Sequence, residues 1–210
     1  MRGAQLCSGC DSHGAAGNHE RCLDKDLAGE AGERAACAQL LCSSSSTLLC
    51  GDSVSTVRGG YTVFGAPWTP QFWGAFNRER GEGKDGLAQL WARIPTSTDV
   101  VVTHGPAAGH GDYVPRAAEH VGCHDLLREL LTRVRPAIHV CGHIHESAGV
   151  SWQRGVAFMN ASICNREGHP VNAPVVFTLR RRAGAPAVQV DIAGHAMPLQ
   201  RGVARTADEL

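Results

Sequence analysis

The chain has almost no lysine: Lys25 and Lys84 stand alone among 20 basic residues, and the rest are arginine. It also lacks any charge imbalance, since 20 acidic residues match the 20 basic ones. A sequence-independent nucleic-acid binder held by bulk positive charge is therefore excluded. The arginines are scattered, which reads as base composition of the source genome rather than function. No apolar run approaches the ~18 residues a membrane span needs. Residues 1–12 lack the apolar core of ~7–15 residues found in a secretory leader. The nine cysteines, six of them within the first 50 residues, are accordingly expected as reduced thiols in a cytoplasmic chain, not as a disulfide framework. The last four residues, Ala207-Asp208-Glu209-Leu210, resemble an endoplasmic-reticulum retrieval signal, which is without use unless an entry signal precedes it.

What is present is an ordinary globular composition, 43% hydrophobic and 19% charged over 210 residues. One domain is the default at this length, burying roughly 70% of its unfolded surface. Residues 1–16 are small and polar without period and read as an irregular tail. Residues 20–41 carry a weak helical pattern broken by Gly29 and Gly32, and the Ser-rich stretch after it reads as loop. Val54–Arg58 and Tyr61–Gly65 flank Gly59-Gly60, a hairpin with a two-residue turn. An aromatic-proline loop follows: Pro67, Trp68, Pro70, Phe72, Trp73. Leu87, Leu90, Trp91 and Ile94 have helical spacing, as do Cys123, Leu126, Leu127, Leu130, Leu131 and Val134. Residues 99–103, 137–141, 155–161 and 173–179 read as strands. From Arg180 to Leu210 a poorly anchored tail is expected. Strands alternating with helices, plus a hairpin, predict an α/β fold with a mixed sheet.

Three segments carry the chemistry: Gly17-Asn18-His19-Glu20, Thr103-His104-Gly105-Pro106 and Gly142-His143-Ile144-His145. Each sets imidazoles in a Gly-bounded loop, and the last two directly follow a buried strand. Open α/β sheets build their sites at strand C-termini. Imidazole nitrogen and amide oxygen suit a borderline divalent ion. His143 and His145 share a face on a continuing strand but diverge on a loop. A single surface-loop histidine commonly does nothing; three such motifs in order argue otherwise.

In that order these motifs resemble the back half of the calcineurin-like metallophosphoesterases. Asp52-Ser53, Thr56-Val57-Arg58-Gly59, Gly65-Ala66-Pro67-Trp68-Thr69-Pro70, Val121-Gly122-Cys123 and Asn160-Ala161-Ser162 look like its metallophosphoesterase domain-containing subfamily. The resemblance runs from about residue 17 to about residue 179. It implies a four-layer α/β/β/α sandwich with a two-metal phosphoesterase site at the rim of its sheets. By that resemblance Asn18, His104 and His143 ligate one metal, His145 reaches the other, and His19 assists the leaving group. The metals are divalent (Mn, Fe, Zn or Mg), and a small phosphodiester, cyclic nucleotides included, is the expected substrate.

The family's Asp-x-His and bridging Gly-Asp motifs belong upstream of Gly17, where only 16 residues stand, so an N-terminally truncated domain of residues 17–179 is expected. Asp11-Ser12-His13 imitates the first motif and Gly51-Asp52 the second, in the wrong context; Asp11 and His13 remain substitute ligands, and Asp52 is read as structural. Without a bridging carboxylate, two adjacent dications lack anionic compensation, and a single metal is expected. A non-catalytic, metal-binding or regulatory relative is the alternative. A zinc module on Cys7 and Cys10 with His13 or Cys22 is a third reading. His110 and Asp112 either line the substrate pocket or belong to an exposed loop. Trp68, Trp73 and Phe76 wall the pocket or cap the core. His120 is placed nearer the site, whereas His124, His139, His169 and His195 are read as uninvolved. Asn160 either buttresses the site or makes a core hydrogen bond. Cys123 and Cys141 are assigned to core packing.

Overall fold

A computed structural model describes residues 5–8, 11–27, 31–41, 46–49, 53–57, 59–181 and 188–195. The strands are β1 (Gln5–Ser8), β2 (Asp11–Ala15), β3 (Ser46–Leu49), β4 (Ser53–Val57), β5 (Tyr61–Ala66), β6 (Thr69–Pro70), β7 (Asn77–Arg78) and β8 (Val100–Thr103). They continue as β9 (Tyr113–Val114), β10 (Glu119–His120), β11 (Ile138–Cys141), β12 (Gly149–Gln153), β13 (Val156–Asn160), β14 (Phe177–Arg181) and β15 (Val188–Ile192). The α-helices are α1 (Ala31–Leu41), α2 (Leu87–Trp91) and α3 (His124–Glu129).

The centre is a six-stranded mixed sheet in the order β12-β13-β11-β8-β5-β4. Its inner four strands are parallel, and antiparallel β12 and β4 close its edges. β8 and β11 are buried at every position, as strands covered on both faces must be. On one face Phe64, Val101, Val156 and Phe158 meet Leu87, Leu90, Trp91, Leu126 and Leu130. On the other, Val63, Val100, Val102, Ile138, Val140 and Met159 meet Ala15, Leu49 and Ile192 from the smaller sheets β1-β2-β3 and β14-β15. Each large side chain so buried contributes about 1.5–3 kcal/mol. With α1 packed on β3, this is the expected α/β sandwich.

Both helical stripes are present where the spacing put them. Leu87, Leu90, Trp91 and Ile94 are buried at α2 and just beyond. α3 continues as a π-helical turn through Leu130–Val134 and ends at Arg135, whose φ is 51°. The Cys123 thiol does more than pack: it caps α3 by accepting from Leu126 N at 3.4 Å and accepts Trp91 Nε1–H at 3.2 Å.

Several expectations are corrected. Residues 5–8 and 11–15 are not irregular: β2 pairs in parallel with β3 and antiparallel with β1. The polar and small sequence hid this, because the strand is held by neighbours and not by its own apolar period. The β4–β5 hairpin closes on Val57 and Tyr61, so its loop has three residues, not two. Gly32 lies inside α1 instead of breaking it. β12 and β13 join through Arg154 and Gly155, whose φ values of 48° and 84° make the tight turn a two-residue hairpin needs.

In the C-terminal stretch β14 and β15 pair and are anchored, contrary to the tail expected from Arg180. Arg181 grips both oxygens of Asp99 at 2.8 and 2.7 Å, and Asp99 also accepts Thr62 N. Tyr61 Oη donates to Leu179 O. Residues 196–210, with the terminal Ala-Asp-Glu-Leu, lie outside the described residues, as do Gly29, Cys10, Asp52 and Arg58. Among the described residues no helix is long and apolar enough to cross a membrane.

Candidate functional site

Strands of two sheets deliver their loops to one place. β2 leads through Ala16 into Gly17-Asn18-His19, β8 into His104, and β11 into Gly142-His143. The loops are tied by backbone: His104 N donates to Ala66 O at 3.3 Å, and Gly142 N donates to His104 O at 3.0 Å. Ala75 N donates to Asn18 O, which brings the aromatic loop alongside.

The side chains converge. His104 Nε2 donates to Asn18 Oδ1 at 2.7 Å. Asn18 Nδ2 donates to Trp73 O at 3.2 Å, which fixes which end of the amide faces the imidazole. The His143 ring stands 4.5 Å from that of His104. His143 has φ 70°, a left-handed backbone that costs a non-glycine residue about 1 kcal/mol or more. Asn18 and His104 are buried, whereas His19 is exposed and edge-on to Trp73 at 5.5 Å. Gly17 is required by close approach: a Cβ there would stand 2.4 Å from His104 Nδ1.

Burial, followed by His143, His19 and His145, pushes the His104 pKa well below the usual imidazole range. Burial, then His145 and His19, lowers that of His143 to about 4. Both rings are therefore neutral near pH 7, the form that ligates a cation. His145 Nδ1–H donates to Asn165 O at 2.8 Å, leaving Nε2 as its free lone pair.

The donors Asn18 Oδ1, His104 and His143 are neutral N or O groups of the type a borderline dication accepts; a cation on Asn18 Oδ1 and His104 Nε2 would take the place of the proton these two atoms share, moving it to the unpartnered Nδ1. The nearby carboxylates are engaged elsewhere: Glu20 accepts Gly17 N, and Asp24 accepts Phe76 N and Asp26 N. Among the described residues no group of three His, Cys, Asp or Glu side chains is arranged to hold a metal.

Other candidates fall outside this cluster. His110 has both ring nitrogens taken, by Ser151 Oγ and Gln153 Oε1 at 2.7 Å, and stacks on Phe158. Asp112 is buried and accepts from Gly109 N, Gly122 N and His120 Nδ1. Burial pushes its carboxyl up, but these three bonds outweigh it and hold it below the usual range. His110 and Asp112 thus brace the 105–123 loop. His13 is hydrogen-bonded to Ser55 Oγ, and the side chains of Asp11, Cys7 and Cys10 lie outside the described residues. Trp68 and Phe76 are core, while Phe72 and Trp73 are exposed, Phe72 edge-on to His143 at 4.9 Å.

Asn160 does buttress the site: its Nδ2 donates to Gly111 O and Ile144 O. His139, read from sequence as uninvolved, positions the His104 loop. Thr103 Oγ1 donates to Gly105 O at 2.6 Å, so it accepts at 2.7 Å from His139 Nε2–H. The signal available in sequence was a histidine inside an otherwise apolar strand.

A profile of the calcineurin-like phosphoesterase family matches residues 5–147. The human metallophosphoesterase domain-containing protein 1 is 43% identical over 129 residues, 61% of this chain and 38% of that protein. The UPF0046 protein T07D4.2 of Caenorhabditis elegans is 40% identical over 122 residues, 57% of this chain and 30% of that protein. The aligned stretch thus spans less than half the length of either relative. A solved structure of TT1561 of Thermus thermophilus superposes with TM-score 0.43 at 11% identity, covering 86% of this chain and 71% of that one.

Proposed function

The chain belongs to the calcineurin-like phosphoesterase family, and from that premise we propose that it is a metal-dependent phosphoesterase acting on a small phosphodiester, cyclic nucleotides included. The observation that carries this is the convergence of Asn18 Oδ1 and His104 Nε2 at 2.7 Å, with the His143 ring 4.5 Å away, from three distant segments. Asn18, His104 and His143 would hold a divalent ion (Mn, Fe, Zn or Mg), and His145, whose Nε2 is open, is the residue the family resemblance assigns to the other metal. When bound, such an ion neutralises phosphate charge and lowers the pKa of water.

The remaining roles belong to the chain's own groups. His19, exposed beside Trp73, is placed to give a proton to the departing oxygen, a contribution worth typically 10²–10⁴-fold. Phe72 and Trp73 offer exposed aromatic surface beside His143 and His19 for the apolar part of the ester. A second reading, a non-catalytic metal-binding relative, is favoured by the engagement of Glu20 and Asp24 with backbone N–H groups.

Hydrolysis of bis(p-nitrophenyl) phosphate separates the two. With each of the four metals supplied in turn, the enzyme reading expects turnover that is lost in His104→Ala and His143→Ala. It expects turnover lowered about 100-fold in His19→Ala. A folded sample without turnover in any of them, yet binding one Mn²⁺, supports the second reading.

A further inference from the structure

His104 and His143 follow the C-terminal ends of β8 and β11. At the N-terminal ends of the same strands lies a separate cavity of about 240 Å³, whose lining includes Ser97, Thr98, Asp99, Arg135 and Arg154. One strand length, roughly 13 Å, separates it from the histidine cluster. Main-chain bonds bring its three segments together: Ala137 N donates to Asp99 O at 2.9 Å, and Ala157 N to Ala137 O at 3.1 Å.

The cavity is cationic. Asp99 is the one carboxylate among its lining residues, and Arg181 grips both of its oxygens. The charge left over is that of Arg135 and Arg154, both exposed. Arg135 spends only Nε, in a long 3.5 Å bond to Leu131 O. Arg154 has no hydrogen bond or ion pair among the described residues. Both arginines take left-handed backbone, with φ of 51° and 48°, which glycine or asparagine fills with less strain. Strain of this kind gathers at ligand clamps. Thr98 is only 3% exposed, and its hydroxyl has no partner, a costly state for a buried donor.

We propose that this cavity is an anion site, separate from the histidine cluster, that binds a phosphate group through Arg135 and Arg154. Two guanidinium forks match phosphate oxygens in charge and in geometry. The exposed Ser97 hydroxyl stands at the rim as a further donor. A turn of Thr98 about χ1 brings its hydroxyl to the ligand and gives it the partner it lacks. The cavity is smaller than the ~300–1,000 Å³ of ordinary small-molecule pockets, so the ligand is a phosphate ion or the phosphate end of a small monoester. The site stands whether or not the chain hydrolyses a phosphodiester.

The full chain, stripped of metal with EDTA and held at low ionic strength, is titrated calorimetrically with inorganic phosphate and, in a second arm, with ribose 5-phosphate. Chelation takes metal-dependent binding at the histidine cluster out of the measurement. Saturable one-to-one binding is expected, at least ~10-fold weaker in Arg135→Gly and in Arg154→Asn. These replacements suit left-handed backbone, so the turns are kept. Tighter binding of ribose 5-phosphate assigns the site to a monoester, and equal binding assigns it to the free ion. Phosphate at 100-fold above Kd is expected to raise Tm by roughly 5 °C in the wild type and not in the double variant. Thr98→Val should weaken binding several-fold while its Tm without phosphate is not lowered, because the hydroxyl removed has no partner to lose. Absence of saturable binding overturns the proposal, as does binding of equal strength in the arginine variants.

Discussion

Lowering pH should destabilise the fold through His139, and the size of the effect can be worked out. The ring is wholly buried in β11. Its Nε2–H is committed to Thr103 Oγ1, and its Nδ1 is buried without a hydrogen-bond partner. A second proton on this ring would find no acceptor and no counter-charge. Burial, then the nearby His110, lower its pKa from 6.5 to about 3. Below pH 6.5 the unfolded chain binds a proton at this residue, whereas the folded chain does not until about pH 3. The unfolded state then binds more protons, so stability falls as pH falls across that window.

At about 1.36 kcal/mol per unit the full span is worth about 5 kcal/mol, and the part between pH 6.5 and 4.5 about 3 kcal/mol. That is a large share of a typical net stability of 5–15 kcal/mol. His139→Leu should remove the linkage, because Thr103 keeps its bond to Gly105 and loses only an incoming donor. Burial depresses His104 and His143 in the same direction, so the wild type alone cannot assign the slope, but the difference between the two proteins can. Urea unfolding followed by tryptophan fluorescence at pH 7.5, 6.5, 5.5 and 4.5 is the assay. The variant is expected to gain roughly 2–3 kcal/mol on the wild type between pH 7.5 and 4.5. Parallel stability profiles would refute the assignment.

Three further outcomes follow from geometry. Gly17→Ala forces a Cβ against His104 Nδ1; it should cost ~1–3 kcal/mol and weaken Mn²⁺ binding at least ~10-fold, read by urea unfolding and metal titration. Cys123→Ala removes the cap of α3 and the acceptor of Trp91; a loss of ~1–2 kcal/mol is expected, with Cys123→Ser retaining most of it. Arg181→Ala leaves Asp99 with Thr62 alone; since the Arg181 side chain is 41% exposed, only about 1 kcal/mol should be lost, and faster amide exchange in β14 and β15 would locate it.

Much of the sheet was legible because its inner strands are apolar throughout. Val100–Thr103 and Ile138–Cys141 announce themselves, and the histidines that end them follow from chain direction. His104 and His143 come together for the same reason, whereas Asn18 reaches them from β2, in the smaller sheet. What escaped was held from outside. β2 reads as a polar tail because its partners are supplied by β1 and β3. Gly32 sits in a helix because packing on β3 and the 21–23 turn outweighs about 1 kcal/mol of propensity. His139 looked inert, since the bond that gives it a role is to Thr103, 36 residues away. His110 and Asp112 read equally as pocket or exposed-loop residues, because their partners at 151, 153 and 120 are not visible in the pattern. Sequence patterns report which face a residue takes; they are silent on long-range polar partners.

The bond from Gly142 N to His104 O joins the two histidine loops through main chain alone. Side-chain replacement cannot sever such a link, except by proline, so the spacing of the loops is shielded from ordinary point substitution. Selection can retune each imaginable ligand at His104 or His143 separately while the platform beneath them stays rigid. Altering the platform itself takes an insertion or deletion at the end of β8 or β11. The part of this site most exposed to change is therefore its chemistry, and the part most resistant is its shape.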